Sequence, residues 1–320
     1  MSGQGGGDVF MLEMPKILFL SCLGSYFYSI IQERHNDDTN PLLYYLSGGR
    51  LQFVEKDIAD VLRTKGNNPW RYQPVMLIRN NEEIQINDNF FAFIKTMFNV
   101  DVVKCNALEE NSLLEKIIED VDKGVFCICK VDEFHIKKSV KYYMRSSNRH
   151  YLLIRRVNKE KSKFEVIDSE MNAFYDVGFG ELKRAVCDNE FKHKVYYRVD
   201  CKNYRLKNSF CVKYDNVKID SSFIAEMREG LSISVTEEQK YCFMGYRYNI
   251  ISKIIPMFEW RKLFMELVGD EQKGAMVSAL LKKWRNLNIF MLYKIQHADY
   301  DIEAVQKKLK EIENLCALEI

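Results

Sequence analysis

The fold is decided by residues 150–168, which read HYLLIRRVNKEKSKFEVID. Apolar residues cluster near both ends of this stretch, and the polar segment 158–162 between them is typical of a turn. The pattern therefore predicts a β-hairpin with antiparallel strands at 151–157 and 163–168. Because the chain ends of an antiparallel pair are neighbours, we expect His150 to approach Asp168.

A cysteine far upstream is expected to join this pair. Cys22 stands at the start of a segment with helical periodicity, and a thiol in the first turn of a helix lies near the positive end of the dipole, which favours the thiolate. The apolar residues at helical spacing are Leu20, Leu23, Phe27, Ile30 and Ile31. A helix-borne cysteine followed by a histidine and an aspartate on adjacent strands is the chain order of papain-like enzymes, in which a long gap between Cys22 and His150 is normal.

Each of these residues also has an ordinary structural interpretation. A free cysteine is often a small apolar core residue, and the chain has nine cysteines. His150 could be a satisfied histidine at the start of a strand, and His135, just after an apolar strand, is a competing candidate for the base. Asp168 begins an Asp-Ser-Glu sequence that is common in turns. The candidate catalytic set is nevertheless Cys22, His150 and Asp168.

Composition excludes several classes of protein. Of 320 residues, 47% are hydrophobic and 29% are charged, which is typical of a soluble globular protein with one large or two ordinary domains. The formal net charge of +2 gives no argument for binding nucleic acid or an anionic membrane. No segment approaches the roughly 18 apolar residues of a membrane span. An odd number of irregularly spaced cysteines favours free thiols in a reducing, cytoplasmic compartment.

A metal site is not predicted from the sequence. The five histidines show no pair with ligand spacing, and Cys127 and Cys129 are expected on opposite sides of one strand. The glycines of the first residues lack the Lys-Ser/Thr of a phosphate-binding loop, so no cofactor is predicted there.

The chain is predicted to be α+β with three parts. Residues 1–13 form a flexible leader, residues 14–220 a mixed catalytic domain, and residues 221–320 an all-helical region. Strands are predicted at 75–79, 100–105, 125–131, 151–157, 163–168 and 195–199. Besides the Cys22 helix, helices are predicted from 41 to Gly48-Gly49, at 89–98, behind the capping box 112–115 and ending at Gly124, at 180–186, from the capping box 236–239 to Pro256, and at 260–268, 271–297 and 302–318.

Several short segments resemble the butirosin biosynthesis protein H family, papain-like acyltransferases of natural-product pathways. They are Cys22-Leu23 with the following helix, 48–53, 114–124 leading into 131–134, 148–154 and 164–169, and the helical tail around Trp284 and 311–313 is also similar. The sequence departs from the family at Arg155-Arg156, where the family tends to have a glycine and an aromatic residue, and it lacks the usual proline after Gly124.

The resemblance implies a papain-like core and a cysteine acyltransferase. Carried over by position, Cys22 is the nucleophile, His150 the base and Asp168 its orienter. Such an enzyme accepts an acyl, aminoacyl or peptidyl group from the phosphopantetheine thioester of a carrier protein and passes it to a small-molecule amine or another nucleophile, or cyclises or hydrolyses it. No further cofactor is implied. Two alternatives remain open, a papain-like cysteine peptidase or amidase and a non-catalytic module that binds a partner.

Overall fold

The structure is a computed structural model with an α+β architecture. It describes residues 22–34, 42, 50–53, 74–79, 82–83, 88–106, 110–187, 195–207, 221–231 and 236–317. The predicted leader 1–13, most of the segment 41–49 and the apolar run before Cys22 therefore lie outside the described residues. The chain divides into two compact units, one of residues 1–40 and 86–211 and the other of residues 41–85 and 212–320.

The first unit is built on a six-stranded sheet with only antiparallel neighbours, in the order β4-β9-β5-β6-β7-β8. Its strands are β4 (Asp101–Asn106), β5 (Phe126–Asp132), β6 (Arg149–Asn158), β7 (Lys163–Asp168), β8 (Ala173–Gly178) and β9 (Val195–Asp200). Its helices are α1 (Cys22–Arg34), α2 (Asp88–Phe98), α3 (Glu110–Asp122) and α4 (Phe179–Cys187). The numbering of β4 allows for three short strands, β1 to β3, that belong to the second unit.

Two sets of helices cover the two faces of this sheet. Cys127, Cys129, Leu152 and Ile154 share a buried cluster with residues of α3 and α4. Because side chains alternate along a strand, Ile128 and its partner Tyr197 point to the other face. There α1 and α2 pack through aromatic rings, with Phe27 against Phe91 and Phe91 against Tyr197 at centroid distances of 5.7 and 5.6 Å. The central strands are therefore enclosed, which fixes both the hairpin and α1.

The second unit combines a small sheet with helices. Its three strands are antiparallel, β1 (Arg50–Phe53), β2 (Val75–Arg79) and β3 (Glu82–Glu83). Its helices are α5 (Ser222–Gly230), α6 (Thr236–Asn249), α7 (Ile255–Val268), α8 (Glu271–Gln296) and α9 (Ile302–Ala317), with a π-helical segment, Ile250–Ile254, between α6 and α7. Trp284 is fully buried in this unit and stacks near Phe223 and Phe258.

The division into units differs from the predicted boundary between residues 220 and 221. Two side chains of the helical segment 236–254 bind the backbone of β2. Asn249 Oδ1 accepts a hydrogen bond from the Val75 amide, and Lys253 Nζ donates to the Val75 carbonyl. Residues 41–85 therefore belong with the C-terminal helices, although the chain returns to the first unit after them. Within the described residues, no helix is both long and apolar enough to span a membrane.

Most predicted elements are present with small shifts at their ends. The strands 75–79 and 163–168 have the predicted bounds. The helix predicted to end at Pro256 is instead followed by the π-helical segment and then by α7, so the helical backbone continues. Pro256 lies in the first turn of α7, directly after the π-helical segment. Strand β8 was not predicted.

Candidate active site

The structure brings the side chains of Cys22 and His150 together. Cys22 is the first residue of α1 and is half-buried, whereas His150 lies in β6 and is 2% exposed. Ligand atoms of the thiol and the imidazole lie within 4.8 Å of each other, and the thiol acts on the pKa of the imidazole. His135, the competing candidate for the base, lies in the short 3₁₀ turn after β5 with its ring against Phe134. The histidine beside Cys22 is therefore His150.

Asp168 lies on the other side of the His150 ring. The predicted approach across the hairpin is found, with 3.0 Å between His150 Nε2 and Asp168 Oδ1. Because Nε2 contacts this carboxylate, Nδ1 is the ring nitrogen that can interact with the Cys22 thiol. The three side chains thus form a series, thiol to imidazole to carboxylate, in which both members of the second contact are buried.

Four donors hold the Asp168 carboxylate in one orientation. Besides His150 Nε2, the backbone amides of Glu170 and Met171 both donate to Oδ1 at 3.0 Å, and the Tyr175 hydroxyl donates to Oδ2 at 2.8 Å. The amide contacts arise because Asp168 is followed directly by the turn between β7 and β8, in which an aspartate side chain commonly accepts from the next residues. The same carboxylate therefore shapes the turn and orients the histidine.

The Tyr26 hydroxyl is inserted between β6 and β7 where their pairing ends. The last paired residues on this side are Leu153 and Ile167, and the same register continued would place Tyr151 opposite Ser169. Instead, the Tyr26 hydroxyl lies 2.8 Å from the Tyr151 carbonyl and 3.0 Å from the Ile167 carbonyl, and it accepts from the Ser169 amide at 3.1 Å. Tyr26 lies one helical turn beyond Cys22, so one helix carries both the thiol and the hydroxyl that joins the two strands.

Glu170 is a further member of the site that sequence reasoning missed. Its Oε2 lies 3.5 Å from His150 Nδ1, and its side chain is 48% exposed. Ligand atoms of Cys22, His150 and Glu170 all lie within 4.8 Å of one another. Glu170 lies in the turn after β7, two residues beyond Asp168, so strand alternation does not place its side chain. Its only signal in the sequence is its position in the Asp-Ser-Glu segment, which predicts a turn.

The surroundings of His150 favour its protonated form. Burial alone lowers the pKa of this imidazole, but the hydrogen bonds to Asp168 and Cys22, with the charges of both groups, outweigh burial and raise the pKa to about 10. Burial likewise acts to raise the pKa of Asp168, while the bond from His150, the Met171 amide and the Tyr175 hydroxyl bring that pKa below its ordinary value. At neutral pH the site therefore holds an imidazolium between a carboxylate and the Cys22 sulfur.

This arrangement is suited to covalent catalysis by sulfur. An imidazolium beside a thiol favours the thiolate, which is the nucleophilic form of cysteine, and it can donate its Nδ1 proton to a leaving group. The buried Asp168 fixes the ring so that Nδ1 keeps this role. Comparison with known proteins gives no match: no protein-family model matches the chain, and no curated protein sequence is significantly similar to it.

Proposed function

We propose that the protein is a cysteine-dependent acyltransferase with a papain-like core. In this proposal Cys22 takes an acyl, aminoacyl or peptidyl group from the thioester of a carrier protein and passes it to an amine or another nucleophile, in a cytoplasmic natural-product pathway. The observation that carries the proposal is the series of neighbouring side chains in which Cys22 lies beside His150 and His150 is hydrogen-bonded to Asp168. The proposal is also supported by the order of the three residues along the chain and by the resemblance of the surrounding segments to the butirosin biosynthesis protein H family.

The first half-reaction forms an acyl-enzyme. The Cys22 thiolate attacks the thioester carbonyl carbon, a C–S bond forms, and the carbonyl oxygen becomes an oxyanion. The backbone N–H of Cys22, at the start of α1, is a candidate donor to this oxyanion. Collapse breaks the bond to the pantetheine sulfur, which takes the Nδ1 proton of His150 and leaves as a thiol. One thioester is exchanged for another, so no energy source is needed.

The second half-reaction restores the ion pair. An amine attacks the acyl group on Cys22, and the now neutral His150 accepts a proton from the amine nitrogen at Nδ1. The tetrahedral intermediate expels the Cys22 thiolate and releases an amide. Asp168 stays ionised throughout and stabilises the imidazolium at the beginning and end of the cycle. The same residues would also serve hydrolysis if water replaced the amine, which is how a peptidase or amidase would use this site.

The carrier protein supplies the only cofactor in this proposal, its phosphopantetheine arm. The cysteines in the described part of the chain are thiols, which fits a reducing compartment. The amphipathic helices of the second unit are candidates for the carrier-docking surface.

Intact-protein mass spectrometry tests the proposal. The full chain is mixed with an acylated carrier protein, and we expect the protein to gain the acyl mass, with peptide mapping placing it on Cys22. Cys22→Ala is expected to gain none, and Cys105→Ala, which removes the other half-buried thiol among the described cysteines, is expected to react like the unchanged protein. Adding an amine should discharge the adduct to an amide. Cleavage of peptides without any thioester reaction would favour the peptidase, and no adduct with any donor would favour the binding module.

A further inference from the structure

Cys22, His150 and Glu170 present three different metal-ligand atoms around one point. Ligand atoms of the three residues lie within 4.8 Å of one another, and the contact between His150 Nδ1 and Glu170 Oε2 is already 3.5 Å. In a tetrahedral zinc site with ordinary bond lengths, neighbouring ligand atoms are about 3.4–3.6 Å apart. Only small movements are therefore needed. The side chain of Glu170, which carries the third ligand, is half-exposed.

The residues behind this cluster also fit a metal site. A metal-binding histidine usually directs its second ring nitrogen to a carboxylate, which fixes the ring. Here Asp168 already binds His150 Nε2 at 3.0 Å, and a metal that binds Nδ1 displaces the Nδ1 proton of the imidazolium to solvent. The same Asp168 holds the backbone of Glu170 through its amide at 3.0 Å. One buried carboxylate thus orients the His150 ring and holds the backbone that carries Glu170.

We propose that these three residues bind a zinc ion reversibly and that the bound ion switches off the Cys22 nucleophile. The thiolate and the carboxylate neutralise the two charges of the ion, and the exposed side of the site leaves a fourth position for water. Zinc then holds the sulfur lone pair that would attack a thioester. This proposal differs from the sequence analysis, which predicts no metal site and does not include Glu170 among the candidate ligands.

The ligand set selects among metals. Thiolate and imidazole favour zinc and related transition metals, whereas Mg²⁺ and Ca²⁺ prefer a shell of oxygens. Co²⁺ accepts the same ligands as zinc and gives a near-ultraviolet charge-transfer absorption when a thiolate is bound. It is therefore the spectroscopic probe for this site.

The test uses the full chain after treatment with a chelator and its removal. Zn²⁺ is titrated by calorimetry and Co²⁺ by absorption, and one ion per chain is expected, with a thiolate-to-cobalt band. Cys22→Ala should abolish that band. Changing even an outer-shell partner of a zinc ligand costs about 10–100-fold in affinity. Glu170→Gln changes a direct ligand, so it should weaken Zn²⁺ binding by about tenfold or more. Glu160→Gln, at an exposed position in the β6–β7 turn, is the matched control and should bind like the unchanged protein.

A second readout concerns the thiol itself. Stoichiometric Zn²⁺ should protect Cys22 from iodoacetamide, and EDTA should restore labelling. Unchanged Zn²⁺ affinity in both Cys22→Ala and Glu170→Gln, or labelling of Cys22 at full rate with Zn²⁺ bound, would overturn the proposal. The inhibitory role rests on the proposed function, but binding does not. A chain that binds Zn²⁺ as described yet forms no acyl adduct in EDTA would refute acyl transfer alone, and an adduct without Zn²⁺ binding would refute the metal site alone.

Discussion

Replacing Tyr26 with phenylalanine removes only the hydroxyl that lies between β6 and β7. The ring stays in a fully buried position, so apolar packing is retained. The hydroxyl proton is shared between the carbonyls of Tyr151 and Ile167, and its oxygen accepts from the Ser169 amide. Tyr26→Phe therefore deletes one donated hydrogen bond and leaves one backbone N–H without its partner, at the chain ends that carry His150 and Asp168.

The expected cost follows from these two losses. A typical hydrogen bond contributes about 0.5–1.5 kcal/mol, and a buried donor left unsatisfied costs about 1–3 kcal/mol. Some of the second term is recovered if the Ser169 amide moves onto the Tyr151 carbonyl. We therefore expect the free energy of unfolding of the first unit to fall by about 2–3 kcal/mol. Displacement of the histidine and the aspartate by a fraction of an ångström should also slow acylation of Cys22 by about 10–100-fold.

Two measurements test this expectation. Native-state hydrogen exchange of amides in β6 and β7 reports the free energy of opening of the unit that contains α1, without assuming that both units unfold together. Acylation of Cys22 by an excess of thioester, in EDTA, reports positioning. Tyr293→Phe, whose side chain is 57% exposed, is the matched control. If Tyr26→Phe and Tyr293→Phe agree within about 0.5 kcal/mol and acylate at the same rate, the inserted hydroxyl does not hold the site.

The remaining predictions concern protonation, the orienting carboxylate and the core. Since the pKa of His150 is raised to about 10, its ionisation stabilises the fold fully below its ordinary value near 6.5, and this contribution is lost as pH rises through about 10. Unfolding measured with EDTA from pH 6 to 10.5 should show this loss, and His150→Gln should lack it; parallel curves for both proteins would contradict the raised pKa. Asp168→Asn should return the His150 pKa toward its ordinary value in an NMR titration, because the negative charge that raises it is removed and only a neutral amide oxygen is left to accept from the ring; an unchanged pKa would show that the charge of Asp168 does not act on the ring. Leu153→Ala, at a fully buried position in β6, should cost about 2–5 kcal/mol, whereas Val103→Ala, 47% exposed, should cost little; equal losses in denaturant unfolding would place Leu153 outside the core.

The hairpin and the Cys22 helix were predictable because both depend on local periodicity. Apolar alternation and a polar turn define β6 and β7 without knowledge of the rest of the chain, and they place His150 near Asp168. Leu23, Phe27, Ile30 and Ile31 form the predicted apolar stripe of α1, and all are buried. Strand β8 escaped prediction because it is an edge strand with Phe174 and Asp176 exposed. Its sequence, AFYDVG, shows no regular alternation of apolar and polar residues.

Other features depend on contacts between distant parts of the chain. The role of the Tyr26 hydroxyl requires knowing that the start of α1 lies against the gap between β6 and β7, which no local pattern contains. The grouping of residues 41–85 with the C-terminal helices depends on Asn249 and Lys253, each more than 170 residues from Val75. Long-range pairing of this kind leaves no periodic signal in the sequence.

The alkylation rate of Cys22 tests most directly the claim that His150 activates this thiol. Iodoacetamide is uncharged, so its rate at pH 7 in EDTA reports the fraction and reactivity of thiolate at each cysteine, resolved by peptide mapping. We expect Cys22 to react at least about tenfold faster than Cys105, which is similarly half-buried, and His150→Gln to remove most of this difference. Equal rates at the two cysteines, or a fast Cys22 that is unchanged in His150→Gln, would contradict the account.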